Sequence, residues 1–167
     1  KYCFTKPLPM VIKHMEMHLV NGRCIFFNCK PKHFGDSMTY GSNQVALVTG
    51  AGRGIGKAIA IELAKQNIFV YINYLSNKVS AHKTLEEINI NNGHAELLPF
   101  DVTNTDESLK AVKIILQKIG RIDILINNAG IRDDKLLAMM KKDAWQNVID
   151  TNLTSFYNVT KPVVKKM

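Results

Sequence analysis

The chain has 167 residues, 46% of them hydrophobic, which is enough for one domain with a buried core. Its 22 Lys and Arg against 14 Asp and Glu give a formal net charge of +8, a surplus that attracts anionic ligands without indicating nucleic-acid binding. No aromatic platform for stacking bases interleaves with the basic residues, and no apolar run reaches the ~20 residues that span a bilayer, so we expect neither a nucleic-acid partner nor a membrane segment.

The cysteines indicate the compartment. Cys3, Cys24 and Cys29 all precede residue 30, and the main body of the chain has none. An odd number of cysteines in one short segment argues against a disulfide framework and fits a reducing compartment, so we expect a cytoplasmic protein. The spacing of Cys24, Cys29 and His33 matches no zinc-binding pattern, and we therefore expect no metal site.

Residues 1–43 differ from the rest and form a leader whose role the sequence does not indicate. A β-hairpin is predicted over 15–27, because Asn-Gly separates two strand-like runs there. An isolated hairpin is marginal in water, so it needs a surface to pack on. Residues 34–43 have the composition of a linker, and we expect Met38 to be a native start.

From residue 44 onwards, strands alternate with amphipathic helices, which predicts an α/β domain over 44–167. The predicted strands are 44–49, 68–72, 95–100 and 122–126. The predicted helices are 54–66, 77–91, 105–120 and a last long helix over 142–165. This alternation calls for a Rossmann-like, doubly wound parallel sheet with right-handed crossovers. With about four strands, in the order 3-2-1-4, the sheet would be incomplete. Ligands of such sheets bind beyond the carboxyl ends of the strands.

Glycine recurs at 50, 52, 54 and 56, between the first strand and the first helix. Gly50 would make the tight turn, Gly54 would admit a pyrophosphate, and Gly56 would let helix and strand pack closely. The backbone N–H groups at the start of the helix could then meet a phosphate. A glycine turn alone is a weak indication, because it can also close a strand–helix connection that binds nothing.

Four motifs follow one another along residues 44–167. They are Thr-Gly-x-x-x-Gly-Ile-Gly at 49–56, Asp101-Val102, Asn127-Asn128-Ala129-Gly130 and Thr151-Asn152-Leu153. Together they resemble the short-chain dehydrogenase/reductase family. The further residues Gly130-Ile131, Asp133, Leu136-Leu137, Met140 and Trp145 are similar to the 3-oxoacyl-[acyl-carrier-protein] reductases of that family, and the acetoacetyl-CoA reductases share much of this pattern. The resemblance does not extend to residues 1–37.

The resemblance implies a role for each matching residue. The cofactor phosphates would be held by Gly50, Arg53, Gly54, Ile55 and Gly56. The adenine would lie against Asp101 and Val102, and the ribose and nicotinamide beside Asn128, Ala129 and Gly130. Asn152 would hold a water in a proton relay. Structural roles stay open, because Asp101 could cap a turn and the two asparagines could close backbone bonds at a strand end.

The choice between NADPH and NADH depends on the residues after the second strand. An acid there would bond to a ribose 2′-hydroxyl and repel a 2′-phosphate, but Tyr74 occupies this position. Ser76 and Asn77 could bond to a 2′-phosphate, and so could Arg53 in the glycine turn. We therefore expect NADPH rather than NADH, although Arg53 could equally form a surface ion pair.

In this family a serine, a tyrosine and a lysine carry the reaction, and we expect all three beyond Met167. Tyr157 and Lys161 have the family's Tyr-x-x-x-Lys spacing, but they follow Asn152 too closely and in the same helix. We interpret Tyr157 as an apolar-face residue of that helix and Lys161 as a solvated one, and Ser155 is likewise not the catalytic serine. The sequence reads as the front half of an enzyme, in which the fourth strand would have an unpaired edge.

The resemblance implies NADPH-dependent reduction of a 3-oxoacyl thioester to the 3-hydroxyacyl thioester in fatty-acid synthesis. The acyl carrier would be acyl carrier protein or coenzyme A. The last helix would help to build a homotetramer. Lys165 and Lys166 resemble a basic patch for the acidic carrier protein, or simply favour the helix C-terminus. Two alternatives stay open: a dinucleotide-binding fragment without turnover, and a reductase of the same fold that acts on another alcohol or ketone, such as a sugar or steroid.

Overall fold

A computed structural model of the chain describes the backbone of residues 15–20 and 23–28, and the backbone and side chains of residues 44–167. The strands in these parts are β1 (Met15–Val20), β2 (Arg23–Asn28), β3 (Val45–Val48), β4 (Phe69–Tyr74), β5 (Ala95–Pro99) and β6 (Ile124–Ile126). The α-helices are α1 (Gly54–Lys65), α2 (Lys78–Ile90), α3 (Thr105–Lys118), α4 (Lys142–Ile149) and α5 (Ser155–Val164). The predicted linker at 34–43, the turn at 21–22 and the side chains of Cys24, Cys29 and His33 lie outside the described residues.

The strands form one sheet in the order β1-β2-β6-β3-β4-β5. Within it, β6, β3, β4 and β5 are parallel, and from β5 to β6 they follow the predicted order 3-2-1-4. The predicted fold class, a Rossmann-like doubly wound sheet, is therefore confirmed. The right-handed crossovers of such a sheet bring the carboxyl ends of β3, β4, β5 and β6 to the same edge.

The leader takes part in this sheet. β1 and β2 pair antiparallel, with Val20 opposite Arg23, and β2 then pairs antiparallel with β6, with Phe27 opposite Ile124. The expectation that the fourth parallel strand would have an unpaired edge is wrong, because β2 satisfies the backbone groups on that edge. In the doubly wound order 3-2-1-4-5, this is the position of a fifth parallel strand.

The apolar run that begins the domain is explained by cover on both faces of the sheet. Val45 and Leu47 belong to a core cluster with residues of α3 and α5, whereas Ala46 and Val48 belong to a second cluster with residues of α1 and α2. All four of these β3 residues are buried. Alternate side chains of a strand point to opposite faces, so a strand between two helical layers needs no polar side chain.

The last helix contains a π-helical insertion. The predicted helix over 142–165 is divided into α4 and α5 by a π-helical segment at Asp150–Thr154, and a 3₁₀ turn at Leu137–Met139 precedes it. The predicted long helix is thus observed over residues 142–164, but its π-helical segment, which contains Asn152, was not predicted. Such π insertions often occur at functional sites, because the extra residue re-aims the side chains around it. Within the part of the chain that the structure describes, no helix is both long and apolar enough to cross a membrane.

Candidate functional site

The glycine turn leaves an open place for an anion at the start of α1. Gly50 and Gly54 have φ of +62° and +58°, a region that L-residues with side chains rarely adopt. A Cβ atom on Gly54 would meet nothing within 4 Å. Arg53 forms the N-cap without a side-chain hydrogen bond, and the first turn of α1 holds no acidic residue. This cradle fits a dinucleotide phosphate, because the positive end of a helix is presented without an internal counter-charge.

Thr49 joins the glycine turn to the end of β6. Its Oγ1 accepts hydrogen bonds from the N–H groups of Asn128 at 2.8 Å and Ala129 at 3.0 Å, and donates to the carbonyl oxygen of Ile126 at 3.2 Å. Sequence reasoning assigned no role to this residue. The sequence feature that could have indicated its role is a hydroxyl group between a wholly apolar strand and Gly50. The sheet ends at this position, and backbone groups there need new hydrogen-bond partners.

Asn128 connects the same two loops through its side chain. The residue is 7% exposed, and its Nδ2 donates to the carbonyl oxygens of Thr49 at 2.9 Å and Gly50 at 3.1 Å. The structural role left open for this asparagine, to close backbone bonds at a strand end, is thus observed. A role beside the ribose stays a prediction, and it is compatible with this position because Asn128 also lines the neighbouring cavity.

A cavity of about 670 Å³ opens beyond the carboxyl ends of β3, β5 and β6. It is lined by Thr49, Val102, Asn127, Asn128, Ala129, Gly130, Ile131, Arg132, Asn152, Leu153, Ser155, Phe156 and Val159. Five residues to which the resemblance assigned a cofactor or proton-relay role are thereby brought together, namely Val102, Asn128, Ala129, Gly130 and Asn152. The mixed lining of apolar side chains and a few amides is typical of a small-molecule site.

Asn152 holds the loop that follows β6. Its Oδ1 accepts from the N–H of Ile131 and its Nδ2 donates to the carbonyl oxygen of the same residue, both at 2.8 Å. A Cβ atom on Gly130 would lie 3.0 Å from Asn152 Oδ1, so glycine permits this close approach. The side chain of Asn152 is therefore engaged with the loop, and a water in a proton relay would have to be held by other atoms of this segment.

Three of the residues expected near the adenosine, Asp101, Ser76 and Asn77, lie outside the cavity, whereas Val102 lines it. Asp101 Oδ1 accepts from the N–H and the hydroxyl of Thr103, both at 2.8 Å, which is the turn-capping role left open for it. Ser76 is exposed in the loop after β4. Asn77, the next residue, caps α2 by accepting from the N–H of Ser80 at 2.9 Å. None of the three lines the cavity.

Tyr157 and Lys161 contact each other, but neither residue lines the cavity. Lys161 Nζ donates a hydrogen bond to the hydroxyl of Tyr157 and lies 4.7 Å from the centre of its ring. Tyr157 is 56% exposed, so its interpretation as an apolar-face residue is wrong. No tyrosine or lysine of residues 44–167 lines the cavity. Ser155 does line it, but its Oγ donates to the carbonyl oxygen of Thr151 at 2.5 Å, within its own helical turn.

Within residues 44–167, no group of three or more His, Cys, Asp or Glu side chains is arranged to hold a metal ion. The polar groups around the cavity are amides, hydroxyls and backbone groups, and Arg132, whose guanidinium pairs with Asp134, also contributes to the lining. These groups can bind a neutral or anionic ligand by hydrogen bonds and can orient its carbonyl and hydroxyl groups.

Comparison with known proteins gives a consistent result. Residues 44–167 match the family described as short chain dehydrogenase. The 3-oxoacyl-[acyl-carrier-protein] reductase of Synechocystis is 48% identical over 130 residues, which are 78% of this chain and 53% of that protein. The protein of the same name from Staphylococcus epidermidis is 40% identical over 125 residues, which are 75% of this chain and 51% of that protein. This chain thus spans about half the length of these curated relatives.

Among solved structures, a dehydrogenase/reductase from Sinorhizobium meliloti is similar, with a TM-score of 0.72 and 27% sequence identity. The superposition covers 74% of this chain and 49% of that one. The structural match is therefore again to about half of a longer protein.

Proposed function

This chain belongs to the short chain dehydrogenase family, and we propose that it is the dinucleotide-binding portion of an oxidoreductase that reduces a 3-oxoacyl thioester with NADPH. The observation that carries the proposal is the position of Asn128. Its side chain bonds to the turn before α1 and lines the cavity beyond β6. The anion cradle and the cavity are therefore adjoining parts of one surface, which suits a ligand with phosphates at its centre and a reactive ring at one end.

In this proposal the glycine turn and the loop after β6 bind and orient the cofactor. The first turn of α1, with Arg53, Gly54 and Ile55, would bind the phosphates through backbone N–H groups. Ala129 and Gly130 would border the nicotinamide ribose, because they line the cavity next to Asn128. A bound nicotinamide dinucleotide would supply the hydride.

The preference for NADPH is proposed from charge. Among residues 44–167, no carboxylate forms an ion pair with Arg53. The position at the end of β4 that would carry an acid in an NAD site is Tyr74, and Ser76 is exposed in the loop that follows. A guanidinium without a counter-ion among residues 44–167, together with an exposed hydroxyl in the loop after β4, suits a 2′-phosphate better than a 2′-hydroxyl.

Fluorescence titration with NADPH and NADH tests cofactor binding. We expect NADPH to bind more tightly, and Arg53→Ala to weaken NADPH binding by about tenfold while leaving NADH binding nearly unchanged. Lys65→Ala is the matched control, because it removes one positive charge from the opposite end of α1. If neither dinucleotide binds to the wild type, the proposed site is wrong. If both bind equally and Arg53→Ala affects both, only the NADPH preference is wrong.

The thioester substrate is proposed from the relatives named 3-oxoacyl-[acyl-carrier-protein] reductase. A longer form of this protein that carries the family's serine, tyrosine and lysine should oxidise NADPH with acetoacetyl-CoA, measured at 340 nm. Reduction of a sugar or steroid ketone instead would favour the alternative of another alcohol or ketone. A form that reduces none of these compounds would contradict the assignment to thioesters.

A second candidate function is dinucleotide binding without turnover. It is favoured by one observation: no tyrosine or lysine of residues 44–167 lines the cavity, so this part of the chain has no proton donor with a neighbouring cation there. Binding of NADPH by the 167-residue chain with no oxidation of it by acetoacetyl-CoA would support this function. Hydride transfer by this chain alone would contradict it.

The assembly, the carrier-protein partner and the cytoplasmic location stay predictions. Proposed contacts with other copies are supported by large apolar side chains that are exposed along the segment before α4, on α4 and beyond it, namely Leu136, Leu137, Met139, Trp145 and Leu153. Exposed apolar side chains concentrated in this way are common at protein–protein interfaces. The proposed homotetramer is testable by analytical ultracentrifugation of the longer form.

A further inference from the structure

Asn73 is a buried polar residue near the end of β4, where the preceding side chains are apolar. It is 2% exposed, and its side-chain amide has three protein partners. Oδ1 accepts from the N–H of Gly50 at 3.1 Å, and Nδ2 donates to the carbonyl oxygens of Leu98 at 3.4 Å and Phe100 at 3.0 Å. The backbone N–H of Gly50 can only donate, and the carbonyls of Leu98 and Phe100 can only accept. A single orientation of the Asn73 side-chain amide therefore satisfies all three groups.

Gly50 is held by side-chain amides on both of its backbone polar groups. Asn73 accepts from its N–H, while Asn128 donates to its carbonyl oxygen at 3.1 Å. The next N–H, that of Ala51, donates to the backbone carbonyl of Asn73 at 2.9 Å. Two asparagines, one at the end of β4 and one after β6, therefore fix a residue whose φ is +62°. Among residues 44–167, the N–H and the carbonyl of Gly50 form no backbone–backbone hydrogen bond, so these two side chains maintain its conformation.

The position of Gly50 determines the position of the start of α1. A Cβ atom on Gly56 would lie 2.4 Å from both the carbonyl oxygen of Gly50 and Nδ2 of Asn128. The first turn of α1 therefore rests directly on the Gly50 peptide group, without space for a methyl group. A displacement of Gly50 must move this turn, because close-packed groups transmit small shifts to one another.

We propose that Asn73 is a positioning residue that holds the Gly50 turn, and with it the first turn of α1, in the geometry that binds dinucleotide phosphates. The inference rests on the proposed dinucleotide binding. Because Asn73 is buried beneath the turn, it acts through Gly50 and does not touch the ligand. Its contribution is pre-organisation. Because the turn is already ordered in the free protein, the entropy cost of ordering it does not reduce the binding free energy.

The test compares two buried side chains that bond to opposite ends of one strand. Asn73 accepts from the N–H of Gly50, just after β3, and Asp123 accepts from the N–H of Val45, at the start of β3, at 2.9 Å. Asp123 is 6% exposed, so Asp123→Ala also removes a buried partner of a backbone N–H group. We expect both variants to lose stability against urea. In fluorescence titrations with NADPH, we expect Asn73→Ala to bind about tenfold more weakly than wild type, and Asp123→Ala to bind within about twofold of it.

The outcomes separate this inference from the function on which it rests. If the wild-type chain does not bind NADPH, both the proposed function and this inference are wrong. A wild type that binds, with a folded Asn73→Ala variant of equal affinity, would overturn the inference alone. Amide hydrogen exchange of Gly50 in the free wild type decides the matter if Asn73→Ala does not fold. Slow exchange, comparable with that of Val45, supports a turn held before ligand arrives, and fast exchange overturns it.

Discussion

The side-chain amide of Asn152 forms two hydrogen bonds with the backbone of Ile131, one to its N–H and one to its carbonyl oxygen, each 2.8 Å long. These bonds tie the π-helical segment at Asp150–Thr154 to the loop after β6, although the two are far apart along the chain. A planar amide can satisfy both groups of one residue in this way, as a neighbouring strand would. The π-helical segment and the loop after β6 are therefore held together as one unit.

Replacement of Asn152 should loosen this loop. Asn152→Ala removes both bonds to Ile131, and since that residue is 47% exposed, water can replace them. We therefore expect only about 1 kcal/mol of lost stability but faster hydrogen exchange in peptides covering 130–140, measured by mass spectrometry. Asn152→Asp retains the acceptor for the Ile131 N–H and should show an intermediate effect. Unchanged exchange in both variants would mean that the loop is held by other contacts.

Replacement of Gly54 should impair binding more than folding. Gly54 and Gly120 have φ of +58° and +83°, and in both cases a Cβ atom would meet nothing within 4 Å. Alanine at either position should cost about 1 kcal/mol of unfolding free energy, because both conformations are unfavourable for side chains. Only Gly54 lies at the start of α1, so we expect Gly54→Ala alone to weaken NADPH binding, by about tenfold. Equal affinity of the two variants in titration calorimetry would contradict a phosphate site at this turn.

The buried hydroxyl of Tyr71 should make stability depend on pH in the alkaline range. Burial, and secondarily the carboxylate of Glu96, raises the pKa of Tyr71 to about 12. Below pH ~10 the hydroxyl is protonated in both the folded and the unfolded chain. Above that pH the unfolded chain loses the proton first, so we expect the free energy of unfolding to fall between pH 10 and 12.

The matched variant is Tyr71→Phe. The Tyr71 hydroxyl is buried without a hydrogen-bond partner among residues 44–167, so its removal should raise the free energy of unfolding by about 1 kcal/mol near neutral pH. The variant should also lose less stability than wild type between pH 9 and pH 11 in urea denaturation. An equal loss in the two proteins would show that Tyr71 does not titrate in this range.

The leader hairpin should protect the sheet edge. Phe26 pairs with Met17 on one side and with Leu125 of β6 on the other. Phe26→Pro removes the backbone N–H, which must break a ladder bond on one of these sides, whereas Phe26→Ala retains it. We expect the proline variant to form larger species in light scattering, because an uncovered edge pairs with other chains. If the alanine variant associates equally, the side chain and not the edge is responsible.

Much of the domain follows from local patterns. Alternation of strands and amphipathic helices predicted the parallel order 3-2-1-4, and the four-motif resemblance predicted the family; both are confirmed. One reason is that the wholly apolar run from Val45 to Val48 suits a strand covered on both faces, as in a parallel sheet. The assignments of Ser76 and Asp101 to a bound dinucleotide stay predictions, because they concern contacts with a ligand.

The errors and omissions share a cause. The π-helical segment lies where Asn152 contacts a loop about twenty residues earlier, and helical periodicity carries no information about such a contact. The same is true of Asn73. A polar residue near the end of a buried strand could be noticed, but its partners come from the glycine turn and from β5. The backbone groups that lack a backbone partner, and so need a side chain to bond to, can be identified only when the register of the strands is known.

By itself, then, the sequence of this protein determined the alternating elements of the parallel sheet and the glycine turn, since these depend on periodicity and on which residues tolerate a left-handed backbone. Only the tertiary structure decided that β2 covers the edge of β6, that Tyr157 is exposed, and that Asn73 and Asn128 hold Gly50 between them. Those outcomes are set by unpaired backbone groups and close contacts between distant segments. The folded sheet brings such groups within hydrogen-bond distance, and the linear order of residues does not.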